Sequence, residues 1–170
     1  MSNICILDYG SGNTKSVYNL FESISKNVII SNNISDIENS THIVLPGVGA
    51  FGKSMEKIKE SLPMKCLVKE VFENKKPFLG ICVGMQVLAN SSEEGNLPGL
   101  GYIKGHVKRL DDSKLYQKPK LPHMGWNSIV KNKESVLFEN IDTEVGFYFL
   151  HSYYFECENI SDILATTQYG

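Results

Sequence analysis

The sequence has 170 residues, of which 42% are hydrophobic and 21% charged, so a disordered, collagen-like or membrane-embedded chain is excluded. At roughly 150 residues per domain, this length predicts one domain over residues 1–170. Lys and Arg total 17 and Asp and Glu total 19, so the formal net charge of -2 gives no overall attraction to nucleic acid or to an anionic membrane.

The N-terminal segment reaches Asp8 without the basic stretch and long apolar core of a signal peptide. No apolar run approaches the roughly 20 residues that a membrane-spanning helix requires, so we expect a cytoplasmic protein. The four cysteines, at positions 5, 66, 82 and 157, form no CxxC pair and predict neither a disulfide framework nor a zinc site. We expect no metal and no cofactor.

The first half of the chain alternates short apolar runs with helical periodicity. Strands are predicted at residues 4–7, 28–30, 42–45 and 77–82, where apolar runs meet polar or glycine-containing turns. Helices are predicted after Asn13, which can cap the first one, on both sides of Pro63, and after Cys82. The helical spacing is that of Val17, Leu20, Phe21 and Ile24, of Met55, Ile58 and Leu62, of Leu67, Val68, Val71 and Phe72, and of Met85, Leu88 and Ala89.

This alternation predicts an α/β fold with three layers, in which a mostly parallel central sheet carries helices on both faces. The second half differs, because β-rich stretches at residues 102–110, 126–130, 146–156 and 163–169 are separated by turns and show little helical periodicity. An antiparallel β extension is therefore predicted in the C-terminal half, with a polar loop at residues 111–120.

Residues 80–84, Gly-Ile-Cys-Val-Gly, lie where a predicted strand meets a predicted helix. They fit the G-x-nucleophile-x-G pattern of a nucleophile elbow, which pushes the central side chain out of the sheet. The start of the following helix would favour the Cys82 thiolate, and the Val83 N–H could stabilise an oxyanion. The alternative is a buried cysteine between glycines that only permit close packing, but the agreement of strand, spacing and helix favours a nucleophile.

Residues 47–54, Gly-Val-Gly-Ala-Phe-Gly-Lys-Ser, compete with this interpretation because they fit the phosphate-binding pattern G-x-x-x-x-G-K-[ST]. A P-loop NTPase also needs an Asp at the end of another apolar strand, whereas the best downstream strand ends in Cys82. A third interpretation treats residues 46–49 as a backbone turn whose N–H groups face an anion.

Eight motifs together resemble the class I glutamine amidotransferases, and most of all the glutaminase subunits of imidazole glycerol phosphate synthases. In chain order they are DYGSGNTKSV, LPGVGAFG, PFLGICVGMQVL, EEGN, GLGYIKGHVKRL, PHMGWN, FYFLHSYY and ATTQYG. The resemblance spans almost the whole chain, and its long motifs favour it over the P-loop.

The resemblance implies that Cys82 attacks the side-chain amide of L-glutamine, forming a glutamyl thioester and releasing ammonia before water yields glutamate. It implies that Val83 and, after a local backbone rearrangement, Val48 donate backbone N–H groups to the oxyanion. It also assigns glutamine binding to Gly47, Gly49, Gln86, Glu94, His151, Ser152 and Tyr153.

The family delivers its ammonia to a partner, because free ammonia in water would be protonated and diluted. The resemblance implies a heterodimer with a cyclase, a (β/α)8 barrel, that makes imidazole glycerol phosphate and an aminoimidazole carboxamide ribonucleotide in histidine biosynthesis. The positions that match the partner-facing surface are Asn13, Pro122, His123, Met124, Gly125, Trp126 and Tyr148.

One departure concerns the base. The family's nucleophile is served by a His and a Glu in a later His-Pro-Glu motif, which does not occur in this sequence. We therefore expect residues 1–170 to represent a shortened chain that is poorly active by itself. Two other functions stay open at this point: an amidotransferase subunit for surface-sugar synthesis, and a non-catalytic amidotransferase-like scaffold.

Overall fold

The computed structural model describes residues 2–116 and 120–170, and its first half is a four-stranded parallel sheet with intervening helices. The strands stand in the order β2-β1-β3-β4. In chain order the elements are β1 (Asn3–Leu7), α1 (Thr14–Glu22), β2 (Asn27–Ser31), α2 (Ile34–Asn39), β3 (His42–Gly47), α3 (Phe51–Ser61), α4 (Met64–Val68), a π-helical segment (Lys69–Glu73), β4 (Phe78–Cys82) and α5 (Val83–Gln86).

Alternation along the buried strands places apolar side chains on both faces of this sheet, because successive residues of a strand point in opposite directions. One face packs into a large core with helices α2 to α5, which includes Cys5, Leu7, Ile43, Leu45, Ile37, Phe51, Met55, Ile58 and Leu67. The other face packs against α1 through Ile4, Ile6, Val28 and Val44. The predicted α/β arrangement with helices on both faces is confirmed.

Helix α1 follows Asn13 as predicted, but its apolar stripe is only half used. Val17 and Phe21 pack on the sheet, whereas Leu20 and Ile24 are 63% and 72% exposed. Asn13 occupies the N-cap position with φ 50° and makes no capping bond through its side chain. This nine-residue helix has no fully buried residue and covers the sheet with partly buried side chains, so the outer half of the stripe stays in solvent.

Two helical elements differ from the prediction. Helix α2 was not predicted, because Ile37 is the only residue it buries and six residues give little periodicity. The helix after Cys82 was predicted to carry Met85, Leu88 and Ala89, but it ends at Gln86. Val87 to Ala89 follow as a turn and a bend with buried side chains.

The second half carries the predicted antiparallel extension in several small pieces. Strands β6 and β10 pair antiparallel, as do β7 with β9 and β8 with β11, while the short β5 runs parallel to β6. The strands are β5 (Ser91–Ser92), β6 (Gly105–Arg109), β7 (His123–Asn127), β8 (Val130–Lys131), β9 (Phe147–His151), β10 (Tyr153–Cys157) and β11 (Ala165–Thr166), with 3-10 helices at Asp112–Lys114, Val136–Phe138 and Ile160–Asp162.

The boundaries here depart from the sequence prediction. The strand expected at residues 126–130 begins at His123, and the stretch at 146–156 is two strands that separate at Ser152. The predicted loop at 111–120 contains a 3-10 turn, and its residues 117–119 lie outside the described residues. Within the part of the chain that the structure describes, no helix is long and apolar enough to cross a membrane.

Candidate active site

Cys82 stands at the turn from β4 into α5, as the last strand residue and the N-cap of the helix. Its backbone has φ 56° and ψ -120°, a conformation that a residue with a side chain rarely adopts. Such backbone strain persists where the surrounding structure enforces it, often at functional sites. The side chain is exposed, so the turn presents the thiol to solvent as the nucleophile-elbow pattern predicts.

Three glycines make this turn sterically accessible. A Cβ atom at Gly84 would lie 1.9 Å from the Leu45 carbonyl oxygen, and one at Gly47 would lie 2.2 Å from the Gly84 nitrogen. A Cβ atom at Gly80 would lie 2.6 Å from the Gly84 carbonyl oxygen. The backbones of β3, β4 and α5 therefore meet without side chains between them, which explains the two glycines that flank Cys82 in the sequence.

The four cysteines have different environments. Burial raises the pKa of the Cys5 thiol to about 12, and burial also raises the pKa of Cys66 and of Cys157. All four thiols are free, and Cys82 alone among them is exposed. The elbow cysteine is thus the one that a solution reagent meets most readily.

The loop after β3 lies beside the nucleophile, because Gly47 is the register partner of Cys82 in the parallel pair. Gly49 has φ 90° and open space around it, while the half-exposed Val48 presents its carbonyl oxygen 3.4 Å from the Ser11 hydroxyl. On the other side, Val83 is the first residue of α5, and its N–H has no acceptor within the helix. The two predicted oxyanion donors therefore lie on the two chain segments that converge at Cys82.

One cavity of about 910 Å³ brings Cys82 together with Gln86, His151 and Tyr153. The buried Gln86 side chain donates through Nε2 to the Tyr153 carbonyl oxygen at 3.4 Å. Residues 151–153 cross from β9 to β10 beside this cavity, and the Ser152 carbonyl oxygen accepts from the Leu110 N–H. The break at Ser152 is thus the point where the chain passes from one small sheet to the next.

Glu94 has a separate local role in the structure. Its Oε2 accepts the Phe51 N–H at 2.8 Å, so its carboxylate satisfies the first turn of α3. Ala50 stands at the N-cap and offers no side-chain acceptor, which leaves this function to Glu94, 43 positions after Phe51. Glu94 thereby ties the turn after β5 to the loop that contains Gly49.

The same helix bears on the phosphate-loop alternative. Lys53 would have to reach back over residues 47–52 to contact a phosphate. Its Nζ instead lies 2.8 Å from Glu56 Oε2 on the solvent side of α3, and its side chain is 78% exposed. The loop itself is closed against the elbow at Gly47, so the geometry does not favour nucleotide binding.

The predicted partner-facing residues differ in their exposure to solvent. Met124, Trp126 and Tyr148 alternate along the paired strands β7 and β9 and are exposed, as is Asn13 at the start of α1. Pro122 and Gly125 are partly exposed. His123 differs from the prediction, because strand alternation turns it to the inner side of the ribbon, where it is 3% exposed.

Leu150 was missed by the sequence analysis. It is the register partner of Met124 and is 61% exposed on the same outer side as Trp126 and Tyr148. We call these four residues, Met124, Trp126, Tyr148 and Leu150, the ribbon face. The alternation of Tyr148 and Leu150 in the sequence is the signal that could have identified it.

One group of three potential metal ligands occurs among the described residues. Glu38, Cys66 and Glu70 place one donor atom each within 4.8 Å of one another. Lys76 Nζ lies 2.7 Å from Glu70, so an ammonium group already neutralises the buried carboxylate. The donor set therefore does not fit a resident cation.

The sequence is similar to known proteins over almost its whole length. The sequence profile of the family "Glutamine amidotransferase class-I" matches residues 5–169. An imidazole glycerol phosphate synthase subunit HisH from Bdellovibrio bacteriovorus is 43% identical over 167 residues, which cover 98% of this chain and 82% of that protein. The subunit HisH 2 of Methanococcus maripaludis is 44% identical over 166 residues, covering 98% of this chain and 81% of that one.

Solved structures agree in fold. A protein from Thermoplasma acidophilum that is named as a GMP synthase component superposes with a TM-score of 0.65 at 19% identity, over 98% of this chain and 73% of that one. A second structure, named as a glutamine amidotransferase, also has a TM-score of 0.65 at 15% identity and covers 95% of this chain and 78% of its own. At these identities the likeness concerns the fold alone.

Proposed function

The chain belongs to the class I glutamine amidotransferase family, and from that membership we propose that it is the glutaminase subunit of an imidazole glycerol phosphate synthase in histidine biosynthesis. The observation that carries the proposal is Cys82, exposed at a strand-to-helix turn and facing a cavity that Gln86 and Tyr153 also line. The names of the curated relatives support this synthase over an amidotransferase for surface sugars.

The reaction begins when the Cys82 thiolate attacks the side-chain amide carbon of L-glutamine. A carbon–sulfur bond forms, the amide oxygen takes the negative charge, and the N–H groups of Val83 and Val48 stabilise it. Collapse of this intermediate breaks the carbon–nitrogen bond and releases ammonia after proton transfer to the nitrogen. Water then adds to the thioester, the carbon–sulfur bond breaks, and glutamate leaves as the thiol is restored.

The Val48 N–H becomes a donor after the peptide group that joins Gly47 to Val48 reorients. Glycine permits conformations on both sides of φ = 0° at little cost, and Gly49 already has a positive φ in surroundings that contain no atom near its Cβ position. No base is assigned to Cys82, since the 170-residue sequence contains no His-Pro-Glu motif.

Glutamine binding is assigned to the polar groups around the cavity. Gln86, His151 and Tyr153 line this cavity together with Cys82, and Ser152 lies between the two lining residues of the β9–β10 crossing. Gly47 at the end of β3, Gly49 in the loop that follows and Glu94 in the turn after β5 complete the proposed set. The Glu94 carboxylate is held beside that loop by the Phe51 N–H.

The partner proposed for the ribbon face is the cyclase of the synthase, a (β/α)8 barrel, in a cytoplasmic heterodimer. Ammonia must reach its acceptor before water protonates it, so the glutaminase requires a partner docked near its cavity. The exposed apolar side chains of the ribbon face are the kind that occupy the core of a protein interface.

The test is covalent labelling with 6-diazo-5-oxo-L-norleucine, an electrophilic analogue of L-glutamine. Cys82 should be modified in preference to Cys66 and Cys157, and L-glutamine should slow the reaction where D-glutamine does not. Mass spectrometry of the digested protein locates the adduct, and Cys82→Ser serves as the unreactive control. Equal labelling of the exposed and half-buried thiols would contradict a glutamine site and favour a non-catalytic scaffold.

A further inference from the structure

Two histidines face each other on the inner side of the ribbon formed by β7 and β9. His123 and His151 are cross-strand partners, and His123 Nδ1 lies 3.2 Å from His151 Nε2. The rings of Phe149 and Tyr169 stack on His123, with centroids 4.7 Å and 4.0 Å away. His123 is buried and His151 is partly buried, so each ring nitrogen within reach of a partner must be matched with a donor or an acceptor.

The contact between His151 and Tyr153 determines which ring nitrogens of the pair carry protons. His151 Nδ1 lies 2.9 Å from the Tyr153 carbonyl oxygen, which can only accept a hydrogen bond. His151 therefore carries its proton on Nδ1, and a neutral ring leaves Nε2 as an acceptor. His123 must then donate from Nδ1, which leaves its own Nε2 as an acceptor.

The contacts of Asn127 independently indicate the same direction of hydrogen-bond donation. Asn127 Nδ2 lies 3.3 Å from His123 Nε2 and 2.9 Å from the Gln168 carbonyl oxygen. Because that carbonyl also only accepts, the Asn127 side chain must present its amide nitrogen here, and the second N–H points to His123. Hydrogen bonds thus run in one direction from Asn127 through His123 and His151 to the Tyr153 carbonyl.

The chain of bonds is complete only while both imidazoles are neutral. An additional proton on either ring would place two N–H groups face to face at one of the nitrogen–nitrogen contacts. Burial lowers the pKa of His123, and the neighbouring His151 lowers it further. Burial also lowers the pKa of His151, against the opposing effect of the Tyr153 carbonyl.

The inner end of this chain of hydrogen bonds meets the cavity. The Tyr153 carbonyl oxygen accepts both from His151 Nδ1 and from Nε2 of Gln86, which is buried one turn after Cys82. The outer end is Asn127 on β7. It directly follows Trp126, which belongs to the ribbon face.

We propose that His123 and His151 are positioning residues, which form a one-way hydrogen-bond relay that holds the Tyr153 carbonyl and, through it, the Gln86 amide in place for glutamine. The relay joins strand β7, which carries half of the ribbon face, to the glutamine side of the cavity. This role rests on the proposed function, since the position of Gln86 matters only if the cavity binds glutamine.

The proton positions can be measured without any activity. Long-range hydrogen–nitrogen correlation spectra of the nitrogen-15-labelled protein at about pH 7 should show both rings as neutral Nδ1–H tautomers. The isosteric change Asn127→Asp replaces the outer donor by an acceptor, so His123 Nε2 should gain a proton. An Nε2–H tautomer of either ring in the unchanged protein would overturn the relay.

The positioning role is tested by the L-glutamine concentration that halves the rate of Cys82 alkylation by iodoacetamide. His123→Leu removes the donor to His151 and should raise that concentration about threefold to tenfold, the effect of one lost hydrogen bond. His123→Asn keeps an N–H near the position of Nδ1 and should restore most of the protection. Phe149→Leu, which removes a stacked ring but no hydrogen bond, is the matched control for packing.

The possible outcomes distinguish failure of the relay from failure of the proposed function. Equal weakening in His123→Leu, His123→Asn and Phe149→Leu, or no change in His123→Leu, would overturn the relay while leaving the glutamine site intact. Absence of protection in the unchanged protein would instead overturn the proposed function and the positioning role with it. If His123→Leu does not fold, the Asn127→Asp spectrum decides the relay alone.

Discussion

At position 84 the surrounding backbone leaves no room for a side chain, so the elbow around Cys82 requires glycine there. The Leu45 carbonyl group and the Pro46 backbone lie so close to Gly84 that any Cβ here would overlap backbone atoms, which cannot move aside as a flexible side chain can. Gly84 thereby lets the first turn of α5 lie directly against β3, two residues after Cys82 with its φ of 56°. The elbow that presents the thiol therefore depends on Gly80 and Gly84, which have no proposed role in the chemistry itself.

Replacing Gly84 by Ala should destabilise the protein by about 3 kcal/mol or more, because overpacking against backbone is among the costliest substitutions. We expect a lower midpoint of urea unfolding together with slower alkylation of Cys82. The matched control is Gly52→Ala in α3, where the nearest atom to the new Cβ is 4.0 Å away. That change should be neutral or stabilising by up to about 1 kcal/mol. Equal destabilisation by both variants would refute the steric explanation.

At the scale of elements, Lys76 joins helix α2 to the π-helical segment through hydrogen bonds and a buried ion pair. Its Nζ donates to the carbonyl oxygens of Ile37 and Glu38 at the end of α2, at 2.9 Å and 2.7 Å. The same ammonium pairs with Glu70 in the π-helical segment. It thus satisfies free carbonyls at a helix C-terminus and neutralises a buried carboxylate.

Lys76→Met should cost about 1–3 kcal/mol in the free energy of unfolding, because it leaves the Glu70 carboxylate and two carbonyls without their donor. The matched control is Lys69→Met, since Lys69 pairs with Glu38 at 3.8 Å with both side chains about half exposed. Such surface pairs contribute about 0–1 kcal/mol. Urea unfolding of the two variants at about pH 7 makes the comparison, and similar losses would show that the buried pair has no special importance.

The same pair predicts a pH dependence. The Lys76 hydrogen bond, assisted by Asn74, lowers the pKa of Glu70 from its ordinary value of 4.5. A carboxyl whose pKa is lower in the folded state stabilises the protein above the unfolded-state pKa and loses that contribution as the pH falls through the folded-state pKa. The stability difference between the unchanged protein and Lys76→Met should therefore shrink below about pH 4.5. A difference that stays constant down to about pH 3 would contradict this assignment.

At the scale of the whole molecule, the ribbon face is a surface where four large apolar side chains lie together in solvent. Trp126 and Tyr148 are cross-strand partners with their rings in edge contact, and Met124 pairs with Leu150 beside them. Four large apolar side chains on one side of a two-stranded ribbon are what a partner would cover. Below them lie the two histidines and the cavity that contains Cys82.

Trp126→Ala and Leu150→Ala should each weaken association with the cyclase of an imidazole glycerol phosphate synthase, with the larger effect of about tenfold or more for the tryptophan. Titration calorimetry measures the dissociation constant, and circular dichroism should show an unchanged fold because both side chains are exposed. Ile160→Ala, another exposed apolar change, lies outside the ribbon face and should leave binding within about twofold. A loss of binding in Ile160→Ala as large as in Trp126→Ala would refute this surface.

The sequence by itself determined the order of the four strands in the first half, the helices other than α2, and the elbow at Cys82. Both depend on short-range signals: apolar spacing, and glycines on either side of a residue between a strand and a helix. The interpretation of Glu94 and Lys53 needed the folded chain, because Glu94 meets Phe51 only across a long sequence separation and Lys53 could face either the loop or solvent.

Tertiary structure alone decided which side chains share a surface in the second half. The split at Ser152, the inward direction of His123 and the outward direction of Leu150 all follow from how β7, β9 and β10 pair. A shift of one residue in register reverses every side chain of a strand, and that register is chosen by partners distant in sequence. The relay from Asn127 to Tyr153 exists for the same reason, because pairing brings His123 and His151 face to face.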